Sequence, residues 1–430
     1  MSQIAAPLIP QVFVLWHPQC SYGERMARRI LQWLRPGNGL GPEVFYRSLP
    51  APEALAGGLP PALPGEARSL TGIASSGRQK ISNRQVVVPL IDENMVADRA
   101  WRYWLEQLAA PSASASRSVM PVALDATAYN MPASLRELNY LRPAGLPLGP
   151  DDDADGPAFE GVVRSLLKQI TEAMCRLILP RAALAARTGA TSSGPLPKVN
   201  VFLSHAKQDG TVPAQRLRDY IYGQTQLAAF YDENDIAFGD VFGRVIQSAL
   251  DSSDTAALIV VRTARYASRP WCRRELSLFR RPRLENPLAG GAAPALVGGA
   301  EQWRLYPTLV VEAIEGRQLS SGIPELGNSS VIRWTNADPG LEELIVTTII
   351  RDAMLAAFHS ALGTSIPSRQ GQIVINWLPD PTTLLHIPAV RSGEERDVLH
   401  PGRGLSGLEL DILSEFFPNL TFRSFEEALL

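Results

Sequence analysis

Cysteine and histidine are scarce in this sequence, which has three cysteines and five histidines among 430 residues. Cys20, Cys175 and Cys272 lie far apart and in unlike contexts. Such spacing fits neither a disulfide framework nor a metal site with paired ligands. We therefore expect no metal, and we expect a reducing compartment, the cytoplasm.

An excess of charge of either sign is also absent. The chain has 41 basic and 43 acidic side chains, with a net charge of −2, so its total charge does not favour nucleic acid or an anionic membrane surface. The first residues lack a basic leader followed by a long apolar stretch, and no uninterrupted run reaches the ~20 apolar residues of a membrane helix. We expect a soluble, unexported protein that binds neither nucleic acid nor membrane.

Several common catalytic motifs are missing. The sequence has no GxGxxG after a strand, no GxxxxGK[ST], no HExxH and no GxSxG. It therefore lacks the signatures of dinucleotide-binding folds, P-loop enzymes, zinc peptidases and α/β-hydrolases.

An alternation of strand and helix patterns occupies residues 198–280. Two short apolar runs, residues 199–203 and 256–261, are bounded by turn signals, as is typical of strands buried on both faces of a parallel sheet. Polar loops at residues 204–210 and 232–240 each precede a helical pattern. Ligands of such sheets bind beyond the carboxyl ends of the strands, so these loops are predicted to carry the chemistry.

Three motifs in this region carry a family resemblance: FLSHAKQDG at residues 202–210, FYDENDIAFGD at 230–240 and WCRREL at 271–276. In this order and spacing the segment resembles the TIR (Toll/interleukin-1 receptor) domain in its bacterial form. The resemblance covers about 160 residues, from Pro197 to roughly Leu362, with fourth and fifth strands in residues 305–314 and 331–334 and a closing helix at 341–362. It implies an α/β fold with a flavodoxin-like parallel sheet. The sequence departs from the family at Phe238, where many relatives carry proline, and in a Pro/Gly/Ala-rich insertion at 281–300 that we interpret as loop.

The resemblance also implies an activity. Glu275 matches the catalytic glutamate of TIR enzymes, which split the bond between nicotinamide and ribose in NAD, so NAD would be the substrate and no cofactor would be needed. Relatives of this kind act in bacterial antiviral defence. The residues implied to bind the substrate are Ser204, His205, Asp209, Asp232 and Trp271.

The residues alone leave other interpretations open for each of these positions. Glu275 could be an exposed glutamate paired with an arginine of its own helix, and Trp271 a core side chain. His205 could be a surface-loop histidine, and Asp209 the cap of the following helix. Cys272 resembles a small buried thiol more than a nucleophile, because no histidine is held near it in the sequence.

The loop at residues 232–240 is expected to mediate contacts between domains. In relatives this loop joins neighbouring TIR domains and gates the site, and Gly239 permits a turn that a residue with a Cβ atom would resist. The alternative is an ordinary solvated acidic loop. We expect a homo-oligomer formed through TIR domains, and activation by assembly or by a partner protein. The residues assigned to this oligomerisation loop are Glu233, Asp235, Phe238 and Gly239.

Periodicity and turn signals predict a helix at residues 23–34 and strands at 43–48, 119–125 and 420–424. The first half of the chain thus repeats the same alternation. Aligning Ala100-Trp101 with Pro270-Trp271 places Leu105 opposite Glu275, which suggests a degenerate TIR-like copy, although any flavodoxin-like fold would give a similar pattern. A helix from residue 157 is expected to end at Pro180. The predicted organisation is therefore a degenerate α/β domain at 1–187, a linker at 188–197, a TIR domain at 198–362, and a small C-terminal strand-helix-strand unit at 363–430.

Three functions are consistent with the sequence. The first is an NAD glycohydrolase whose product, ADP-ribose, a cyclic form or a base-exchanged dinucleotide, is left open. The second is a non-enzymatic scaffold that binds other TIR domains. The third is a nucleoside or nucleotide ribosyl-transferring enzyme, because the same oxocarbenium chemistry needs the same carboxylate.

Overall fold

A computed structural model describes most of the chain. The described residues are 9–36, 39–48, 83–109, 117–148, 156–187, 200–225, 228–231, 255–285, 299–314, 322–327, 329–335, 340–366 and 369–429. The chain divides into two compact units, one of residues 6–173 and one containing residues 174–430.

The first unit is built on a parallel sheet. Its elements in chain order are β1 (Ile9–Trp16), α1 (Gly23–Leu34), β2 (Glu43–Ser48), β3 (Asn83–Ile91), α2 (Glu93–Ala97), α3 (Arg99–Ala109), β4 (Arg117–Val119), β5 (Val122–Ala123), α4 (Ala133–Arg136) and α5 (Pro157–Arg187), of which residues 174–187 belong to the second unit. The strands lie in the order β2-β1-β3-β4, with β5 also paired to β3. All of these pairs are parallel.

Local patterns account for several of these elements. Met26, Ala27, Ile30 and Leu34 form the buried face of α1, at the three- and four-residue spacing of a helix that covers a sheet. The predicted strand in residues 119–125 is instead two short strands, β4 and β5, separated at Pro121. Proline has no N–H for the ladder, which explains the interruption.

Helix α5 corrects one prediction. It was expected to end at Pro180, but it continues to Arg187. An interior proline removes one hydrogen bond and costs about 3 kcal/mol. Before the proline the helix is held by buried Met174, Cys175 and Ile178, and the Cys175 Sγ atom lies 3.5 Å from the Ile350 carbonyl oxygen.

The second unit contains a second parallel sheet. Its elements are β6 (Asn200–His205), α6 (Thr211–Gln224), β7 (Ala228–Tyr231), β8 (Thr255–Arg262), α7 (Pro270–Phe279), β11 (Thr308–Glu312), β12 (Ser330–Arg333) and α8 (Leu341–Ser365). The strand order is β12-β11-β8-β6-β7, and each pair is parallel. This is the flavodoxin-like order 2-1-3-4-5, which confirms the predicted fold class.

A third sheet lies in the same unit. Its strands are β9 (Arg283–Leu284), β10 (Glu301–Arg304), β13 (Ile373–Ile375), β14 (Arg396–His400) and β15 (Leu420–Ser424), and its helices are α9 (Pro381–Leu384), α10 (Pro388–Arg391), α11 (Gly407–Phe416) and α12 (Phe425–Leu429). The strand order is β15-β14-β13-β10-β9, with only the β9 pair antiparallel. Thus Arg283–Leu284, interpreted above as loop, is a strand, and the C-terminal segment completes a sheet begun between α7 and β11.

Helix α8 contacts both sheets of the second unit. It packs against β8 and β11 of the second sheet and against β10 and β13 of the third. A helix covered on several sides is apolar all round. In the part of the chain that the structure describes, α8 is the one helix that is long and apolar enough to cross a membrane. However, 67% of its most apolar 18-residue stretch is buried inside the protein. The helix is not an uninterrupted apolar run, because Thr347, Thr348, Arg351 and Asp352 lie within it.

Candidate functional site

The second sheet has a topological switch point between β6 and β8. The chain leaves β6 toward β7 on one side, and it leaves β8 toward β11 on the other. The loops that follow β6 and β8 therefore flank a crevice at the carboxyl ends of the strands, where open α/β sheets bind ligands. The loops concerned are residues 206–210 and 263–269.

Helix α7 directs Glu275 toward this edge. Pro270 occupies the first position of the helix and Arg269 its N-cap position, as proline's fixed φ favours. The buried face contains Cys272, Leu276 and Phe279 together with Glu275, whose side chain is only 6% exposed. The interpretation of Glu275 as an exposed glutamate is therefore wrong.

The buried carboxylate is hydrogen-bonded to the end of β6. The Ser204 hydroxyl donates to Glu275 Oε2 at 2.6 Å, and Ser204 is itself 1% exposed. Burying a carboxylate is costly unless hydrogen bonds replace water, and a donated O–H of this length is a strong, charge-assisted bond. Two residues proposed from separate motifs are thus in direct contact.

Tyr266 joins the same cluster, and sequence reasoning missed it. Its hydroxyl lies 2.8 Å from Ser204 Oγ and 3.4 Å from the Cys272 carbonyl oxygen, and the side chain is completely buried. Tyr266 begins a 3₁₀ turn after β8. The signal available was position, because this loop follows a central strand at the same sheet edge as Ser204.

His205 is the last residue of β6 and is 5% exposed. The surface-loop interpretation is therefore wrong. Its carbonyl oxygen lies 3.4 Å from Cys272 Sγ, so the cysteine acts as a buried thiol that connects α7 to the end of β6.

Asp209 connects the two loops of the crevice. Its carboxylate accepts hydrogen bonds from Thr263 Oγ1 at 2.7 Å and from the Arg265 backbone N–H at 3.0 Å. The capping interpretation is wrong, because Gly210 is the N-cap residue of α6 and no side chain caps that helix. A Cβ atom at Gly210 would lie 3.0 Å from the Ala206 carbonyl oxygen, so this turn favours glycine.

Trp271 lies on the solvent side of α7. Its side chain is 50% exposed, which excludes the core-packing interpretation. The Arg274 guanidinium lies 5.3 Å from the centre of the indole ring, within the range of a cation–π contact. An aromatic surface flanked by a cation therefore lies on α7, one helical turn before Glu275 in the sequence.

The remaining predicted positions lie outside the described residues. They are Asp232, Glu233, Asp235, Phe238 and Gly239. Among the residues that the structure describes, no group of three or more His, Cys, Asp or Glu side chains could hold a metal ion.

The corresponding helix of the first unit differs in its chemistry. Leu105 of α3 is fully buried in the apolar core with Trp101 and Trp104, and Glu106 is exposed. The first sheet thus presents no buried glutamate at this position.

Comparisons with known proteins place the second sheet in a TIR domain. Residues 201–318 match the family model described as TIR domain, so the chain contains a TIR domain whose matched part runs from β6 past β11. No curated protein matches the chain. Among solved structures, tagatose-6-phosphate ketose/aldose isomerase from Escherichia coli is 11% identical, covers 82% of each chain and has a TM-score of 0.18.

Proposed function

We propose that the TIR domain of this protein cleaves the nicotinamide–ribose bond of NAD, with Glu275 as the catalytic carboxylate. The observation that carries the proposal is the buried Glu275, held by the Ser204 hydroxyl at 2.6 Å, at the switch point of a flavodoxin-like sheet. A carboxylate kept out of water at this edge acts more strongly on positive charge than it would in solvent.

The reaction needs one carboxylate. The bond between the ribose anomeric carbon and the pyridinium nitrogen breaks, and its electron pair returns to the nitrogen, so nicotinamide leaves as a neutral molecule. No general acid is required at the leaving group, unlike the paired carboxylates of ordinary glycosidases. Positive charge develops on the ribose, and Glu275 stabilises it chiefly in the transition state.

Other residues take supporting roles in this proposal. Trp271 and Arg274 provide a surface for an aromatic or anionic part of the dinucleotide, and Asp209 holds the two crevice loops together. His205 and Asp232 complete the proposed substrate contacts. Water attacks the ribosyl cation and loses a proton to give ADP-ribose, while attack by another nucleophile would give a cyclic or base-exchanged product.

The biological setting follows from the same proposal. We place the protein in the cytoplasm, as an antiviral defence effector that is switched on by assembly through TIR domains or by a partner protein. The loop containing Glu233, Asp235, Phe238 and Gly239 would form the contact between domains. NAD serves as substrate, and the reaction uses no cofactor.

We also infer that the first unit is a degenerate TIR-like copy. Its strand order β2-β1-β3-β4 repeats the order of the first four strands of the TIR sheet. Leu105 stands where the helix of the second unit carries Glu275, and a buried leucine cannot stabilise a cation.

The test is nicotinamide release from NAD by the purified full chain, at low and high protein concentration and with a crowding agent. Glu275→Gln keeps the shape of the side chain and removes its charge, and it should lower the rate by about 100-fold or more. Glu106→Gln, the same change on the exposed face of α3, is the matched control and should retain activity. Absence of release under every condition would leave two alternatives, the non-enzymatic scaffold and an enzyme that awaits its partner protein. Competition by free nucleosides would favour the ribosyl-transfer alternative.

A further inference from the structure

Tyr266 combines complete burial with a polar contact at the candidate site. Its ring packs in the core cluster of the TIR sheet, beside Phe202 and Leu276. Its hydroxyl lies 2.8 Å from Ser204 Oγ, the atom that bonds Glu275. A buried phenol needs a hydrogen-bond partner, and here the partner is the side chain that touches the carboxylate.

The direction of these hydrogen bonds follows from the number of protons. An ionised carboxylate only accepts, so the single Ser204 hydroxyl proton is donated to Glu275 Oε2. Ser204 Oγ can then only accept from Tyr266, whose O–H points toward it. The 3.4 Å contact from Tyr266 to the Cys272 carbonyl is longer and is the weaker alternative.

We propose that Tyr266 is a positioning residue, which acts through Ser204 to hold the Glu275 carboxylate ionised and correctly oriented. Hydrogen-bond chains strengthen each member, because a hydroxyl that accepts a bond becomes a better donor. Without the Tyr266 hydroxyl, Ser204 can turn away or offer a weaker bond, and the buried carboxylate becomes easier to protonate. As a claim about catalysis this rests on the proposed NAD cleavage, whereas the hydrogen-bond chain itself can be tested without it.

The decisive experiment titrates Glu275 directly. Full-length protein labelled with ¹³C at the glutamate side-chain carboxyl is followed by NMR against pH, and the Glu275 signal is assigned by its absence in Glu275→Gln. Tyr266→Phe should raise the Glu275 pKa by about half a unit to one unit, and Ser204→Ala by about one unit or more. Tyr306→Phe is the matched control, because it removes one hydroxyl from the same core cluster, and it should leave the titration unchanged.

The outcomes separate the two claims. An unchanged Glu275 titration in Tyr266→Phe would overturn the positioning role, whether or not the protein cleaves NAD. If the pKa rises but wild-type protein releases no nicotinamide, the hydrogen-bond chain stands although NAD cleavage by the purified protein fails.

Kinetics extend the test if the protein is active. The acid limb of the kcat/KM profile should move to higher pH in Tyr266→Phe, and the rate at pH 7 should fall about 2- to 10-fold. The thermal unfolding midpoint of each variant, compared with Tyr306→Phe, identifies any general loss of folding. A rate loss without a shifted pH profile would indicate a packing role and contradict the proposal.

Discussion

His359 shows how a single buried side chain is kept neutral by its surroundings. It lies on α8, is 6% exposed, and its Nδ1 is 3.2 Å from the Asn376 carbonyl oxygen. Because a carbonyl only accepts, Nδ1 carries the proton. Burial is the larger effect and lowers the pKa of His359 to about 4, against a smaller opposing effect of this hydrogen bond.

This pKa predicts a loss of stability in acid. Between the ordinary histidine pKa of 6.5 and about 4, the unfolded chain binds a proton that the folded chain does not, so the free energy of unfolding falls as the pH falls. At pH 5 the loss from His359 should be about 2 kcal/mol relative to pH 7. Urea unfolding of the wild type and of His359→Asn, which keeps a donor near the Nδ1 position, would measure it.

The expected result is a smaller change between pH 7 and pH 5 in His359→Asn than in the wild type. Equal changes in the two proteins would mean that His359 does not contribute. Comparing the two proteins is necessary because burial also lowers the pKa of His400, near the end of β14.

At the scale of the element, α8 is the helix on which the second unit depends. Its position against two sheets requires close approach at its C-terminal end, where a Cβ atom added at Gly363 would lie 2.8 Å from Val374 Cγ1 and 3.3 Å from the Phe425 ring. Only glycine avoids this overlap. This tight contact joins α8 to the third sheet, and other positions of the helix contact β8 and β11 of the TIR sheet.

Gly363→Ala should accordingly destabilise the protein. Overpacking costs about 1–3 kcal/mol, partly offset by the roughly 1 kcal/mol that alanine gains over glycine in a helix. We expect a net loss of about 1 kcal/mol in the free energy of unfolding, measured by urea denaturation. Gly161→Ala on α5, where nothing lies within 4 Å, is the control and should stabilise by about 0.5–1 kcal/mol.

A second change can rescue the first. Val374→Ala removes the methyl groups that the new Cβ atom would meet, so its cost should be smaller in the presence of Gly363→Ala than alone. Additive costs in the double variant would contradict the proposed overlap.

At the scale of the whole molecule, the C-terminal segment and the TIR region share one sheet. Strand β10, which precedes β11, pairs with β13. The Asn376 side chain accepts from the Leu305 backbone N–H at 2.8 Å, and its own amide lies within 3.2 Å of the Ala356 carbonyl oxygen and of Ser360 Oγ on α8. Strand β10 therefore has β9 on one edge and depends on the last sixty residues for its parallel neighbour on the other.

Shortening the chain after Ile366 tests this dependence. Removing β13–β15 should leave β10 without a parallel neighbour and expose apolar surface of α8, so the thermal unfolding midpoint should fall by more than about 10 °C or the protein should aggregate. Leu408→Ser, at a side chain of α11 that is 72% exposed, should change the midpoint by about 1 °C or less. An unchanged midpoint in the shortened chain would show that the TIR region folds without the third sheet. Such a result would favour the predicted division at residue 362.

The sequence alone determined much of the local structure. Periodicity and turn signals predicted Gly23–Leu34, Glu43–Ser48 and Leu420–Ser424 with their observed bounds, because these patterns act over a few residues. The order of strand and helix patterns also predicted a parallel sheet, the family resemblance implied its flavodoxin-like form, and the WCRREL motif pointed to Glu275. Secondary-structure patterns and motifs of this kind are determined by residues close together in the sequence.

The tertiary structure decided what lies between distant segments. Tyr266 hydrogen-bonds Ser204, and Asp209 hydrogen-bonds Thr263, although the loops that hold them follow different strands. Strand β10 pairs with β13, which follows α8 in the chain. No local pattern specifies such pairs, since each side chain or strand edge finds its partner only when burial brings the segments together. For the same reason, the sequence pointed to Glu275 and Ser204 separately, but not to the contact between them or to the Tyr266 hydroxyl beside it.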